Sequence, residues 1–177
     1  HQSTIPTNSI WAISEARSKL LNLDSLPMSS YADQDETLGN VAFFDEGLSI
    51  ELSGNTWKRL SFEYDVDLLT VLEFEFKSNS GRLGEVLAIG LDEDSLHSTP
   101  RLFQLAGSET SSSFIDDYKD YTGQDVGTWK RYEILLSPEY TGSMKYLVFA
   151  CDDDNEANAQ ACFRNVRVYD QNKTWQP

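Results

Sequence analysis

Glu73 and Glu75 stand two residues apart in Leu72-Glu-Phe-Glu-Phe. On an extended strand both carboxylates point to one face, about 7 Å apart. Two carboxyl groups about 5–5.5 or 6.5–9.5 Å apart in a cleft can cleave a glycosidic bond. A small hydrolase or lyase would therefore use Glu73 with Glu75 or Asp92. The same spacing equally describes an outward acidic strand face that performs no chemistry. That plainer reading is preferred, because the closing stretches of the chain add no dense group of carboxylates and histidine. A chain of 177 residues is also short for such an enzyme.

Other acidic residues suit a hard cation. Asp92-Glu-Asp94 and Asp152-Asp-Asp-Asn155 are compact, oxygen-rich runs. Calcium takes six to eight oxygen ligands, and loops rich in Asp and Asn supply them. The expected ligands are Asp92, Asp94, Asp152 and Asp154, with calcium as the cofactor. No run has the helix-loop-helix calcium spacing. His1 and His97 are the only histidines. A copper site would need both, together with a free N-terminus.

Aromatics set among polar residues point to sugar. Phe114-Ile-Asp-Asp-Tyr-Lys-Asp-Tyr121 carries rings that can stack on apolar sugar faces and carboxylates that can accept hydroxyl hydrogens. The expected binding residues are Tyr118, Tyr121, Asp116, Asp117 and Phe114. Trp57 and Trp129 each begin a strand-like run and read as core plugs.

These residues need elements to position them. Ser9 to Leu23 has Ile10, Ile13, Ala16 and Leu20 at helical spacing, so a short amphipathic helix is expected, ending near Asn22. From Val41 onward, runs alternate with period two or are wholly apolar: Leu60 to Val66, Val71 to Phe76, Val86 to Leu91, Trp129 to Leu136, Lys145 to Ala150 and Phe163 to Tyr169. Leu72, Phe74 and Phe76 should face inward. The fold class is all-β, an antiparallel β-sandwich or jelly roll with a short N-terminal helix. The expected division is an N-terminal segment of residues 1–40 and a sandwich of residues 41–177.

Cys151 ends one of these runs and Cys162 begins the next. If the two runs pair as neighbours, the cysteines meet and form a disulfide, which would stabilise by roughly 2–3 kcal/mol. Such a bond favours a secreted, extracellular protein. Asn172-Lys-Thr is a formal glycosylation sequon.

Charge removes several partner classes. At −15 the chain repels nucleic-acid phosphates and anionic membranes. Strongly sulfated or uronic polymers are disfavoured on the same ground, unless a cation bridges. No stretch approaches the roughly 18 consecutive apolar residues of a membrane helix.

The ordered set Leu52-Ser-Gly-Asn-Thr-Trp-Lys-Arg, Thr70-Val-Leu-Glu-Phe-Glu-Phe, Ile89-Gly-Leu-Asp-Glu-Asp, Gly127-Thr-Trp-Lys-Arg-Tyr, Tyr146-Leu-Val-Phe and Phe163-Arg-Asn-Val-Arg-Val-Tyr resembles β-sandwich domains appended to secreted bacterial polysaccharide-degrading enzymes. It covers about two thirds of the chain. Such domains resemble carbohydrate-binding modules. The resemblance implies a polysaccharide or oligosaccharide partner, binding without catalysis, and an attached catalytic domain. The rival readings are the small glycan-active enzyme above and an adhesion or protein-interaction domain using the acidic face.

Overall fold

A computed structural model describes residues 19–35, 39–155 and 158–171. Its strands are β1 (Met28–Ser30), β2 (Asn40–Phe44), β3 (Ser49–Ser53), β4 (Thr56–Val66), β5 (Thr70–Lys77), β6 (Val86–Asp92), β7 (Leu102–Ala106), β8 (Lys130–Leu135), β9 (Gly142–Asp152) and β10 (Gln160–Asp170). They form two antiparallel five-stranded sheets. Sheet A has the order β1-β4-β9-β6-β7, and sheet B the order β2-β3-β10-β5-β8. The expected β-sandwich is the observed architecture.

Alternation fills the space between the sheets. Leu72, Phe74 and Phe76 of β5 are fully buried and meet Leu87, Ile89 and Leu91 of β6 in one core. Phe163 joins the two layers. Its ring centroid lies 5.2 Å from Phe76, 6.0 Å from Phe74 and 5.0 Å from Phe149 of the opposite sheet. Each such aromatic pair adds about 0.5–1.5 kcal/mol beyond burial. The whole of β6 is buried, as its unbroken apolar run predicts.

β10 contains a bulge between Arg164 and Arg167. Asn165 takes φ +53° there, a left-handed conformation that Asn tolerates better than most residues. The extra residue reverses the alternation. Phe163 and Val166, three apart, both point into the core, and Arg164 and Arg167 both point out.

Three expectations change. Residues up to 18 of the expected helix lie outside the described residues. Residues 19–22 are not helical, and a single 3-10 turn, Leu23–Ser25, follows them. β1 and the fully buried Leu23 and Tyr31 belong to the sandwich although they precede residue 41. Cys151 and Cys162 are both free. The β9 and β10 runs do not pair; they lie in different sheets. Cys151 faces the core, whereas Cys162 stands beside Glu51 on the outside of sheet B. The sequon at Asn172 lies outside the described residues. No helix among the described residues is long and apolar enough to cross a membrane.

Candidate functional site

Strand register arranges the outer face of sheet B in rows. Glu51, Cys162 and Lys77 stand side by side across β3, β10 and β5. Trp129 joins that row just before β8, since Phe76 is opposite Lys130. The next row is Arg164, Glu75 and Arg131; the one after it is Arg167, Glu73 and Glu133. Phe74 and Phe76 point inward, so the glutamates between them must point outward.

The rows lock into a lattice of ion pairs. Arg164 grips Glu75 with Nε at 3.0 Å and Nη2 at 3.3 Å, and Asn165 Nδ2 donates to the same carboxylate at 2.5 Å. Arg131 donates to one oxygen of Glu73 at 2.8 Å and also bonds Glu133, and Arg167 Nε forms an ion pair with the other Glu73 oxygen at 2.9 Å. Glu51, Glu73, Glu75 and Glu133 thus match Lys77, Arg131, Arg164 and Arg167 one for one. The charges of these three rows balance, although the chain carries −15, and Asp45 adds one more carboxylate at the hollow beside Trp129.

Trp129 is half-buried on this face and is not a core plug. Its ring reaches across β5. The Arg164 guanidinium carbon lies 4.0 Å from the ring centroid, and Lys77 Nζ lies 4.7 Å from it. Cations packed on an indole hold it in place electrostatically. A hollow of about 200 Å³ opens between Trp129, Lys77, Glu51 and the exposed Phe44. A second, of about 330 Å³, lies along the same face at Glu73, Glu75, Arg131 and Arg167. Trp57 is buried, but on the outside of sheet A, where Tyr31, His97 and Phe114 roof it.

Glu75 is unsuited to the part of general acid. A general acid needs a raised pKa. The Arg164 guanidinium holds the Glu75 carboxyl below the usual carboxylate range. Asp92 lies on sheet A, across the sandwich from Glu73.

The loop expected to bind sugar is turned inward. Phe114 is buried 5.0 Å from the His97 ring. Tyr121 is 3% exposed, packs edge-on against Phe76 at 4.8 Å, and donates its hydroxyl to the carbonyls of Asp125 and Thr128. Tyr118 packs edge-on against Phe103 at 5.9 Å. Phe114 and Tyr121 therefore offer no open ring face. Asp116 and Asp117 are exposed beside Glu139, whose carboxyl is raised by burial and by Asp117. Their carboxylates remain accessible, but of the rings expected beside them Phe114 and Tyr121 are buried and Tyr118 is half-buried. Apolar residues at polar-loop spacing fastened this loop to the sheet.

The expected cation ligands divide. The Asp92 carboxylate receives the Tyr31 hydroxyl, pairs with Arg101 at 3.4 Å and accepts the backbone N–H of Glu93 at 2.7 Å. Asp94 accepts the Leu96 N–H at 2.8 Å. Both are engaged within the loop that follows β6. Asp152 and Asp154 do converge, and Glu85 joins them, with one oxygen of each within 4.8 Å of the others. Val86 is opposite Asp152, so pairing of β6 with β9 carries Glu85 into the group. Nothing in the linear sequence signals it. Burial and the neighbouring carboxylates push Asp152 up to about 7, and its Oδ1 is buried without a hydrogen-bond partner. Three mutually repelling carboxylates with an orphaned oxygen fit the donor chemistry of calcium. Of the two histidines, His1 lies outside the described residues. His97 is packed beneath Phe114, and burial lowers its pKa.

Neither a protein-family model nor a curated protein sequence matches the chain. Among solved structures, the chain is similar to a family 61 carbohydrate-binding module in complex with β-1,4-galactotriose. Identity is 11%, the TM-score is 0.43, and the match covers 85% of this chain and 91% of that one. It is also similar to a family 11 module, CtCBM11, at 15% identity and TM-score 0.45, covering 86% and 95%. A third similarity is to the glycoside hydrolase domain structure of Endo-D from Streptococcus pneumoniae R6, at 15% identity and TM-score 0.48. It covers 84% of this chain and 22% of that one. The likeness is one of fold.

Proposed function

We propose that this chain is a non-catalytic carbohydrate-binding β-sandwich that holds a neutral polysaccharide across the outer face of sheet B. The observation that carries the reading is Trp129, half-buried and held by Arg164 and Lys77 beside rows of paired charges. An indole stacks on the apolar face of a sugar ring. The flanking carboxylates and guanidinium groups are already fixed by one another, so they meet sugar hydroxyls with little loss of side-chain freedom. Rows whose charges largely cancel suit an uncharged polymer.

Calcium at Glu85, Asp152 and Asp154 belongs to the same proposal. The ion would neutralise the three carboxylates and tie the start of β6 to the end of β9. Secretion and attachment to a polysaccharide-degrading catalytic domain complete the reading. They rest on the sequence resemblance and on the acidic surface, which keeps a protein soluble in a salty medium.

Affinity electrophoresis through gels containing neutral glucans, galactans or xylans tests the central claim. Wild type should be retarded by at least one polymer without releasing reducing sugar. Trp129→Ala should be retarded clearly less than wild type. Equal retardation of both proteins would remove sheet B as the site.

A further inference from the structure

A hollow of about 610 Å³ opens where three loops meet, and it shares no lining residue with the hollow at Trp129. Its walls are residues 81–84 between β5 and β6, residues 106–108 at the end of β7, and Lys119, Tyr121, Thr122 and Gly123. The volume falls within the roughly 300–1,000 Å³ of small-molecule sites.

Four of the chain's ten glycines stand in these walls. Gly107 has φ +117°, and a Cβ there would lie 2.1 Å from the Glu85 carbonyl oxygen, so close packing demands glycine. Gly81 and Gly123 differ. A Cβ on either would meet nothing within 4 Å, and neither has a positive φ. Packing does not require glycine at these two positions; their bareness leaves the hollow open.

The lining chemistry runs against the rest of the molecule. Arg82 and Lys119 stand in different walls, Ser108 and Thr122 add hydroxyls, and no lining residue is acidic. Lys119 Nζ is steadied by the Glu109 carbonyl at 2.8 Å. Arg82 lies 3.8 Å from the fully buried Asp153 carboxylate behind the wall. Net charge does not decide affinity in such a place. Exposed charges beyond about 8 Å are largely screened at physiological salt, so a single anionic group responds to the two nearby cations. A polymer bearing many charges would still meet the acidic surface.

We propose that this hollow binds one acidic sugar, a uronate, with its carboxylate between Arg82 and Lys119 and its ring hydroxyls toward Ser108 and Thr122. The choice of a sugar rests on the carbohydrate-binding reading; the choice of an anion rests on the lining alone. A domain with both sites would select a largely neutral glycan that carries an occasional acidic residue.

The test is amide NMR titration of the whole chain with glucuronate and galacturonate. Glucose, galactose and inorganic sulfate are the controls. A uronate should shift the amides of Gly81, Arg82, Lys119 and Gly123, and Lys119→Gln should weaken it about tenfold, the loss of one charge-assisted hydrogen bond. Gly123→Leu places an apolar side chain at the wall, where a Cβ meets nothing within 4 Å. It should abolish the shifts while keeping the wild-type melting midpoint and retardation by neutral polymer. Equal shifts from the uncharged hexoses would overturn the anionic specificity, and equal shifts from sulfate would overturn the sugar. Uronate shifts absent from these four amides would overturn the site. Trp129→Ala should leave the uronate shifts intact, so the sheet B reading and this one fail separately.

Discussion

Arg164 packs on the ring of Trp129 at 4.0 Å although β5 runs between their strands. The guanidinium is itself gripped by Glu75. Ring, cation and carboxylate thus form a stack spanning three adjacent strands. Losing the ring should remove affinity and spare the fold. Trp129→Ala should weaken polysaccharide binding by about 1–2 kcal/mol, from the area an indole buries. Its melting midpoint should stay near wild type, because Trp129 is outside both apolar clusters. Titration calorimetry and thermal melts check the pair of outcomes. A large fall in midpoint would make the residue structural.

Tyr121 should behave in the opposite way. Its ring is buried against Phe76, and its hydroxyl bonds backbone groups of residues 78, 125 and 128. Tyr121→Ala should cost about 3–5 kcal/mol of stability, as for other large aromatic truncations in a core. Tyr121→Phe should cost about 1–3 kcal/mol, through the partners left unsatisfied. Polymer binding by Tyr121→Phe should match wild type. Urea melts give the first two numbers and affinity electrophoresis the third.

Asp152 makes stability depend on pH. Its folded value is pushed up to about 7 from an ordinary 3.8. The fold therefore favours the protonated form. The stability so gained is fully present below about pH 3.8 and is lost as pH rises through 7. Asp152→Asn should flatten this part of the profile and raise the midpoint at pH 8. Calcium should raise the wild-type midpoint at pH 8, where all three carboxylates are ionised, and leave that of Asp152→Asn unchanged. Melting curves at pH 5 and pH 8, with calcium and with chelator, read both effects. An identical calcium response in the two proteins would place any bound ion elsewhere.

The cysteines should titrate as two thiols in the unfolded, unreduced protein, and a reductant should not move the melting midpoint. In the native state Cys162 should react slowly. It is 5% exposed, and burial with Glu51 nearby pushes its thiol up to about 12. Ellman's reagent, added before and after denaturation, measures both. A native protein without titratable thiol after unfolding would restore the disulfide.

Local pattern was enough for the strands and for much of the core. Leu72, Phe74 and Phe76 alternate with Glu73 and Glu75, and a pleated backbone permits only one assignment of faces. The apolar run Val86–Leu91 of β6 is likewise buried on both sides. Net charge and aromatic content also needed no coordinates. Strand partnership did need them, because hydrogen-bonded neighbours need not be neighbours in sequence. Cys151 ends one run and Cys162 begins the next, yet their strands belong to opposite sheets. Glu85 reaches Asp152 only through the register of β6 on β9. One inserted residue at Asn165 turns Arg164 and Arg167 to the same face, which simple alternation forbids. Tyr121 and Trp129 exchanged their expected roles for a related reason. Which ring is buried depends on what the opposing surface offers, and that surface is made by residues distant in the chain.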